Sequence, residues 1–312
     1  MARKKITVVG AGNVGATTGY ILAAKDLGDV VLIDIIEGLA QGKALDIAQA
    51  GGVYPFASAI TGSTDWGETA DSDIVIITSG MPRKPGMSRD DLLAKNADIV
   101  KSVTSRVVEY SPNAFIIVVC NPLDAMVYAA AKVSGFTKNK VMGMAGALDS
   151  ARFAHFIAAE LGVGIGDVNG VLMGGHGDDM VPLPRFTTVA GVPLTELMAA
   201  AKIAELIDRT RKGGIEIVNF LGYSAYYAPA AGAVKMAEAI IKDKKIVMSC
   251  CAYCGSEYAV GGAFVGVPVV LGAGGVERIV ELDLNQAEKA AFDKSIAHVK
   301  NLVAKVDGLL GQ

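Results

Sequence analysis

Short apolar runs alternate with longer amphipathic stretches over the first half of the chain. Apolar runs rich in β-branched residues and bounded by glycine or polar residues predict buried strands. The predicted strands are residues 6–9, 30–34, 58–61, 74–78, 115–119 and 141–145. The helices predicted between them include residues 16–25, 90–109 and 123–134. Regular alternation of strand and helix is typical of an α/β domain with a doubly wound parallel sheet.

The pattern becomes mixed near residue 148. The strands predicted beyond this point are residues 168–173, 185–190, 246–251 and 263–271. The predicted helices are residues 149–161, 203–222, 230–242 and about 286–310. We therefore predict two domains, residues 1–148 and 149–312, the second of α+β class. Because no segment rich in proline, glycine and serine separates them, we expect the two to pack tightly.

A glycine-rich turn of the form GxGxxG follows the first predicted strand. It comprises Gly10, Ala11, Gly12, Asn13, Val14 and Gly15. A helix follows the turn, and the second strand ends at Asp34. This order is typical of the Rossmann dinucleotide fold, in which the backbone approaches a pyrophosphate at the helix N-terminus. Asp34 can accept hydrogen bonds from ribose hydroxyls and would repel a 2′-phosphate, which favours NAD over NADP.

His176 stands in a loop flanked by glycines, and it is one of three histidines in the chain. Asp149 and Arg152 lie three residues apart in a segment predicted to begin a helix, so they share a face. That face can offer a carboxylate to orient an imidazole and a guanidinium to bind a substrate carboxylate. We predict that His176 is a general acid/base and that Asp149 is its catalytic partner. The residues alone leave open a structural histidine, an aspartate helix cap and an exposed arginine.

Six segments together resemble the lactate/malate dehydrogenase superfamily, in its lactate-dehydrogenase-like bacterial malate dehydrogenase branch. They are residues 10–15, 82–93, 120–126, 148–153, 174–184 and 224–231. The resemblance implies an NAD-dependent enzyme that reversibly oxidises (S)-malate to oxaloacetate, and a homotetramer or homodimer. The alternatives are a lactate or other 2-hydroxyacid dehydrogenase and, from another class, a non-catalytic NAD-binding protein.

The resemblance also assigns roles to individual residues. Arg83 and Arg89 belong to a cationic, proline-containing loop that precedes a helix, as an active-site lid would. Arg83 is implied to bind the second carboxylate of the substrate, where lactate dehydrogenases typically have glutamine. Arg89 is implied to polarise the substrate carbonyl. The other implied substrate contacts are Asn121, Arg152 and Ser224, and the other implied cofactor contacts are Asn96, Val119, Cys120 and Asn121.

Composition excludes several other classes of protein. The net charge is −3, so no global basic field points to nucleic acid or an anionic membrane. The uncharged stretch Tyr258–Val276 contains six glycines and Pro268, which indicates buried strands and turns and not a membrane span. Cys251 and Cys254 form a CxxC without a second pair or a nearby histidine, which favours packing over a metal site. We expect no metal and a cytoplasmic protein.

Overall fold

The computed structural model describes residues 3–81 and 88–311, and of Arg89 it describes the backbone alone. The strands of the first half are β1 (Lys5–Val9), β2 (Asp29–Ile33), β3 (Ile60–Ser63), β4 (Ile74–Ile77), β5 (Phe115–Val118) and β6 (Val141–Gly143). The helices among them are α1 (Asn13–Ala24), α2 (Leu39–Ala50), α3 (Arg89–Tyr110) and α4 (Leu123–Ser134). The predicted alternation of strand and helix is confirmed.

These six strands form a parallel sheet in the order β3-β2-β1-β4-β5-β6. Ile6 of β1 is paired with Val30 of β2 on one side and with Ile74 of β4 on the other. All residues of β4 are buried, as expected for a strand covered on both faces. Because the strands are parallel, their carboxyl ends meet at one edge, where α/β sheets bind ligands.

The second half mixes helices with short and long strands. Its helices are α5 (Ala145–Leu161), α6 (Leu194–Leu197), α7 (Ala200–Leu221), α8 (Tyr227–Ile241) and α9 (Gln286–Leu310). Its strands are β7 (Val168–Asn169), β8 (Leu172–Gly174), β9 (Met180–Pro182), β10 (Thr188–Val189), β11 (Val192–Pro193), β12 (Ile246–Cys254), β13 (Ala263–Gly272) and β14 (Gly275–Ile279). The predicted domain boundary at residues 148 and 149 falls inside α5.

The main sheet continues from the first half into the second through antiparallel pairs. Cys251 of β12 pairs with Gly143 of β6, and β12 forms a long antiparallel pair with β13. Gly266 of β13 then pairs with Gly174 of β8, and β8 pairs with β9. The loop between β8 and β9, which contains His176, is thus attached to the same sheet as the glycine-rich turn.

Three local predictions were wrong. The strand predicted at residues 168–173 is divided into β7, which lies in a separate three-stranded sheet, and β8 of the main sheet. The strand predicted at residues 185–190 is largely a turn, because the N–H groups of Phe186 and Thr187 both donate to Leu183 O. Only β10 remains of that strand. The helix predicted to begin at Asp149 begins at Ala145. Its Gly146 packs so closely against β12 that a Cβ at this position would lie 2.7 Å from atoms of Ser249. The small residues before Asp149 therefore belong to the helix and let it approach β12.

Membrane spans and metal clusters are both missing from the part of the chain that the structure describes. None of its helices is both long enough and apolar enough to span a bilayer. Nor do its His, Cys, Asp and Glu side chains form a group of three or more that could hold a metal ion. Cys120, Cys250, Cys251 and Cys254 are free and buried. Burial raises the pKa of the Cys250 and Cys254 thiols to about 12, which disfavours the reactive thiolate.

Candidate active site

The glycine-rich turn connects β1 to α1. Gly10 has φ of +97°, and its N–H donates to Ile33 O at 2.8 Å. A Cβ at Gly15 would lie 1.7 Å from Gly10 O, so only glycine permits this approach of helix and turn. A Cβ at Gly12 would meet nothing within 4 Å, and no side chain caps the N-terminus of α1. The turn therefore offers open space and unpaired helix N–H groups, which fits a dinucleotide pyrophosphate.

Asp34 follows β2 and is tied to this turn. Its Oδ2 accepts the Ala11 N–H at 2.7 Å, and its Oδ1 accepts the Ile36 N–H at 3.0 Å. The Ala11 amide is therefore already paired. Each carboxylate oxygen can accept a further hydrogen bond, so Asp34 can still receive ribose hydroxyls.

Asn96 is buried on α3 and joins two loops at the carboxyl edge of the sheet. Its Oδ1 accepts the Met81 N–H at 2.7 Å, while its Nδ2 donates to Asn121 O at 2.7 Å and to Met81 O at 3.2 Å. Both amide hydrogens are thus used within the protein. The geometry supports a role in arranging the start of the cationic loop and the end of β5. The predicted cofactor contact of Asn96 stays a prediction.

The segment after β5 holds the other predicted cofactor contacts. The Val119 N–H donates to Ile77 O at 2.9 Å, which continues the pairing of β5 with β4. Cys120 is buried, and burial raises the pKa of its thiol to about 12. Asn121 is exposed at the carboxyl edge. The exposed side-chain amide of Asn121 is therefore accessible to a ligand. The buried side chain of Cys120 packs inside the protein, so only its backbone is suited to contact a cofactor.

His176 and Asp149 form the predicted pair, although 27 positions separate them. His176 Nδ1 lies 2.8 Å from Asp149 Oδ2. A carboxylate can only accept, so Nδ1 carries a proton and Nε2 is left to exchange one with a substrate. The side chain of His176 is 18% exposed and that of Asp149 is 4% exposed. Asp149 lies in the second turn of α5 and is not the N-cap, which removes the capping alternative.

Arg152 lies one turn along α5 from Asp149. Its Nη1 is 3.5 Å from Asp149 Oδ1, and its buried Nε has no hydrogen-bond partner among the described residues. The helix α7 passes beside it: a Cβ at Gly213 would lie 3.4 Å from Arg152 Cδ, and one at Gly214 3.7 Å from Nη2. Two bare glycines therefore leave room around the guanidinium. A buried guanidinium nitrogen without a partner in the described part of the chain is suited to an anionic ligand.

Burial and the neighbouring carboxylate shift the pKa of His176 in opposite directions. Burial lowers the pKa of its imidazole, but the charge of Asp149 and the hydrogen bond to it outweigh burial, so the pKa is raised above 6.5. Burial also lowers the pKa of the Arg152 guanidinium, which Asp149 opposes. A raised pKa lets His176 hold a proton near neutral pH and release it to a small change in its surroundings.

The structure describes only some of the other predicted substrate residues. Arg83 lies outside the described residues, and so does the side chain of Arg89. Ser224 is exposed between α7 and α8, and no described hydrogen bond links it to His176 or Arg152. Tyr223 beside it stacks on Tyr226, with ring centroids 6.1 Å apart.

Sequence reasoning missed several residues around the site. Gly213 and Gly214 carry a usable signal, since a glycine within a helix costs about 1 kcal/mol relative to alanine and adjacent ones suggest a close approach. Asp124 and Ser295 accept the N–H groups of His176 and Gly175, respectively. They carry no such signal, because a polar residue on a helix resembles a solvated one until the fold buries it.

The fold and the site together are those expected of a dinucleotide-binding protein in which an imidazole–carboxylate pair lies beside a buried arginine. The family model for the lactate/malate dehydrogenase NAD binding domain matches residues 4–143. The model for the lactate/malate dehydrogenase alpha/beta C-terminal domain matches residues 146–308. This chain belongs to the lactate/malate dehydrogenase family.

Relatives extend the match over the whole chain. The malate dehydrogenase of Rhodopirellula baltica is 58% identical over 315 residues, with 100% of both chains covered. The solved malate dehydrogenase from Salinibacter ruber has a TM-score of 0.95 and 51% identity, covering 98% of this chain and 99% of its own. A lactate dehydrogenase from Cryptosporidium parvum, solved with lactic acid and nicotinamide adenine dinucleotide, also has a TM-score of 0.95, at 45% identity and with the same coverage. Backbone similarity therefore does not distinguish a malate dehydrogenase from a lactate dehydrogenase.

Proposed function

We propose that this chain is an NAD-dependent malate dehydrogenase that reversibly oxidises (S)-malate to oxaloacetate. The observation that carries the proposal is the His176–Asp149 pair beside the guanidinium of Arg152, whose buried Nε has no hydrogen-bond partner in the described part of the chain. The identity to named malate dehydrogenases supports malate as the substrate. Such an enzyme supplies oxaloacetate in the tricarboxylic acid cycle.

The residues of the chain divide the reaction between them. Arg152 holds the carboxylate next to the reacting carbon, and Arg83 holds the distal carboxylate, which fixes the orientation of the substrate. His176 Nε2 removes the hydroxyl proton as the carbonyl forms, and Asp149 stabilises the resulting imidazolium. When bound, NAD⁺ would supply the acceptor for the hydride that leaves this carbon. In the reverse direction His176 returns its proton to the carbonyl oxygen.

The cofactor would be held by the turn between Gly10 and Gly15, by Asp34 and by the segment Val119–Asn121. Asp34 faces this turn through the Ala11 amide, and its charge favours NAD over NADP. The test for an enzyme is consumption of NADH when oxaloacetate is added to the purified chain. A chain that bound NADH but consumed none with oxaloacetate or pyruvate would be the non-catalytic alternative.

A lactate or other 2-hydroxyacid dehydrogenase is the second candidate, because the Cryptosporidium parvum lactate dehydrogenase has the same TM-score, 0.95, as the Salinibacter ruber malate dehydrogenase. Arg83 argues against it. A second arginine is suited to a second carboxylate, which lactate does not have.

We further propose a cytoplasmic homo-oligomer, with the tetramer favoured over the dimer by the family resemblance. The single chain leaves large apolar side chains exposed, including Ile35 at 95%, Val53 at 90% and Phe220 at 81%. Burial of such side chains between subunits would be favourable. Light scattering would contradict the proposal if it gave the mass of one chain, 32.2 kDa.

Replacing Asp34 with asparagine tests the choice of cofactor. The asparagine amide keeps an oxygen that can accept the Ala11 N–H but lacks the charge that repels a 2′-phosphate. We expect D34N to narrow the preference for NADH over NADPH by at least about tenfold, which corresponds to about 1.4 kcal/mol. The measurement is kcat/KM with each cofactor at saturating oxaloacetate.

The matched control for this change is D29N. Asp29 lies at the opposite end of β2, where it accepts the Ala59 N–H and pairs with Arg3. D29N should leave the ratio of kcat/KM with NADH to kcat/KM with NADPH unchanged. Equal efficiency of NADH and NADPH in the unmodified chain would remove the assigned role of Asp34.

A further inference from the structure

Buried side chains of two helices, α4 and α9, accept hydrogen bonds from the backbone of the loop between β8 and β9. The Gly175 N–H donates to Ser295 Oγ of α9 at 2.8 Å. The next amide, that of His176, donates to Asp124 Oδ2 of α4 at 3.1 Å. Asp124 is 6% exposed and Ser295 is 3% exposed. Two successive amides are thus fixed by side chains that water barely reaches.

The backbone of this loop has little room to shift. Gly174 has φ of +82°, and a Cβ there would lie 2.6 Å from Ser295 Oγ. A Cβ at Gly175 would lie 2.9 Å from Val299 Cγ2 of the same helix. His298, one turn from Ser295, pairs with Asp179 at the far end of the loop. The C-terminal helix α9 therefore contacts the loop on both sides of His176.

Asp124 is an unusual residue for its position. A buried carboxyl is costly, and its Oδ1 makes no hydrogen bond of ordinary geometry within the described part of the chain. The Cys251 thiol interacts with this carboxyl, and Asp124 lies in the first turn of α4, where the helix dipole favours an acid. Neither contact compensates for burial fully. In the described part of the chain, the hydrogen bond of ordinary geometry that this carboxyl accepts comes from the amide of the proposed acid/base.

We propose that Asp124 is a positioning residue for His176, which fixes the imidazole against Asp149 by accepting the His176 N–H while Ser295 holds the preceding amide. The inference rests on the proposed dehydrogenase activity and deepens it. Asp124 does not touch the reacting atoms. Its effect is on where Nε2 lies, and a displacement of about 1 Å can lower turnover by about 10²-fold.

The role depends on the acceptor oxygen and not on charge. Burial raises the pKa of Asp124, which favours the neutral carboxyl, and a neutral carboxyl or an amide still offers an oxygen to the N–H. The titratable groups that face the imidazole are Asp149, Asp124 and Arg152, and Asp124 acts on it by charge only when its carboxyl is ionised. Of these, Asp149 makes the direct ring contact. If the loop moved, the contact with Asp149 would weaken and the pKa of His176 would fall.

The test compares D124A, which removes the acceptor, with D124N, which keeps it. We expect D124A to lower kcat by about 10- to 10²-fold with little change in the KM for NADH. As the pH is raised, D124A should lose its oxaloacetate reduction activity at a lower pH than the unmodified chain does. D124N should recover most of the turnover and the original pH profile. A purely structural role would change thermal unfolding but not the pH profile.

A second pair of variants covers the case in which D124A does not fold. S295A removes the acceptor for Gly175, and S111A is its matched control, because Ser111 is also buried and accepts a backbone N–H, that of Ser72, within the first domain. We expect S295A to lower kcat several-fold and S111A to leave it unchanged. Unchanged kcat in D124A, equal losses in D124A and D124N, or equal kcat in S295A and S111A would overturn the proposal. Inactivity of the unmodified chain would instead refute the proposed function.

Discussion

Replacing His176 with asparagine is expected to lower kcat by about 10²–10⁴-fold while NADH still binds, because general acid/base catalysis contributes a factor of this size. Asparagine can hydrogen bond Asp149 but cannot carry the substrate proton. The measurement is the steady-state rate of oxaloacetate reduction, together with NADH binding by fluorescence titration. Loss of turnover with retained binding would assign the proton transfer to His176.

The matched control is H155N. His155 is an exposed residue of α5 and contacts Phe156 rather than the predicted pair. It should keep the rate of the unmodified chain. If H176N also kept most of its activity, the assignment of the site would be wrong.

Asp149→Asn should lower kcat strongly, although less than His176→Asn does. The charge of Asp149 raises the pKa of His176, so its removal lowers that pKa. Oxaloacetate reduction needs the imidazolium, and the reduction rate of D149N should therefore decline at lower pH than that of the unmodified chain. Malate oxidation needs the neutral ring, so its acidic limb should extend to lower pH. A pH profile of each direction measures both effects.

Arg83→Gln is expected to lower kcat/KM for oxaloacetate by about 10²-fold or more. Truncating one partner of a buried ion pair costs about 3–5 kcal/mol, and each 1.4 kcal/mol is about tenfold. Pyruvate has a methyl group where oxaloacetate has its second carboxylate arm, so its efficiency should change little or rise. The diagnostic quantity is the ratio of the two efficiencies, because a folding defect would lower both.

Lys84→Gln is the matched control, since it removes a neighbouring positive charge from the same loop. It should leave the ratio unchanged. An unchanged ratio in Arg83→Gln would mean that this loop does not select the substrate, and the preference for malate over lactate would lose its main physical support.

Much of the fold follows from the periodicity of the sequence. The bounds predicted for α4 and α9 agree with the structure, because residues typical of helix ends flank both helices: Pro122 and Gly135 for α4, Asn285 and Gly311 for α9. The strand predicted at residues 185–190 is wrong, because Pro184 lies in a turn in which the Phe186 and Thr187 amides donate to Leu183 O. Apolar content alone does not distinguish such a turn from a strand.

The candidate site was predictable where residue type carries the chemistry. A titratable ring, a carboxylate and a guanidinium in suitable local patterns made His176, Asp149 and Arg152 candidates, and the family resemblance favoured the catalytic over the structural interpretation. The supports of the loop, Asp124 and Ser295, were not predictable, because their roles arise from contacts between segments more than 50 positions apart. Periodicity describes one element at a time and contains no information on such contacts.

Reduction of a dicarboxylic 2-oxo acid by NADH is the reaction on which the proposed function depends. The most direct test measures NADH consumption by the unmodified chain with oxaloacetate and with pyruvate, in parallel and at the same pH. We expect kcat/KM for oxaloacetate to exceed that for pyruvate by about 10²-fold or more, as a second, buried ion pair would produce. Equal efficiency, or a higher efficiency with pyruvate, would contradict the assignment of malate as the substrate.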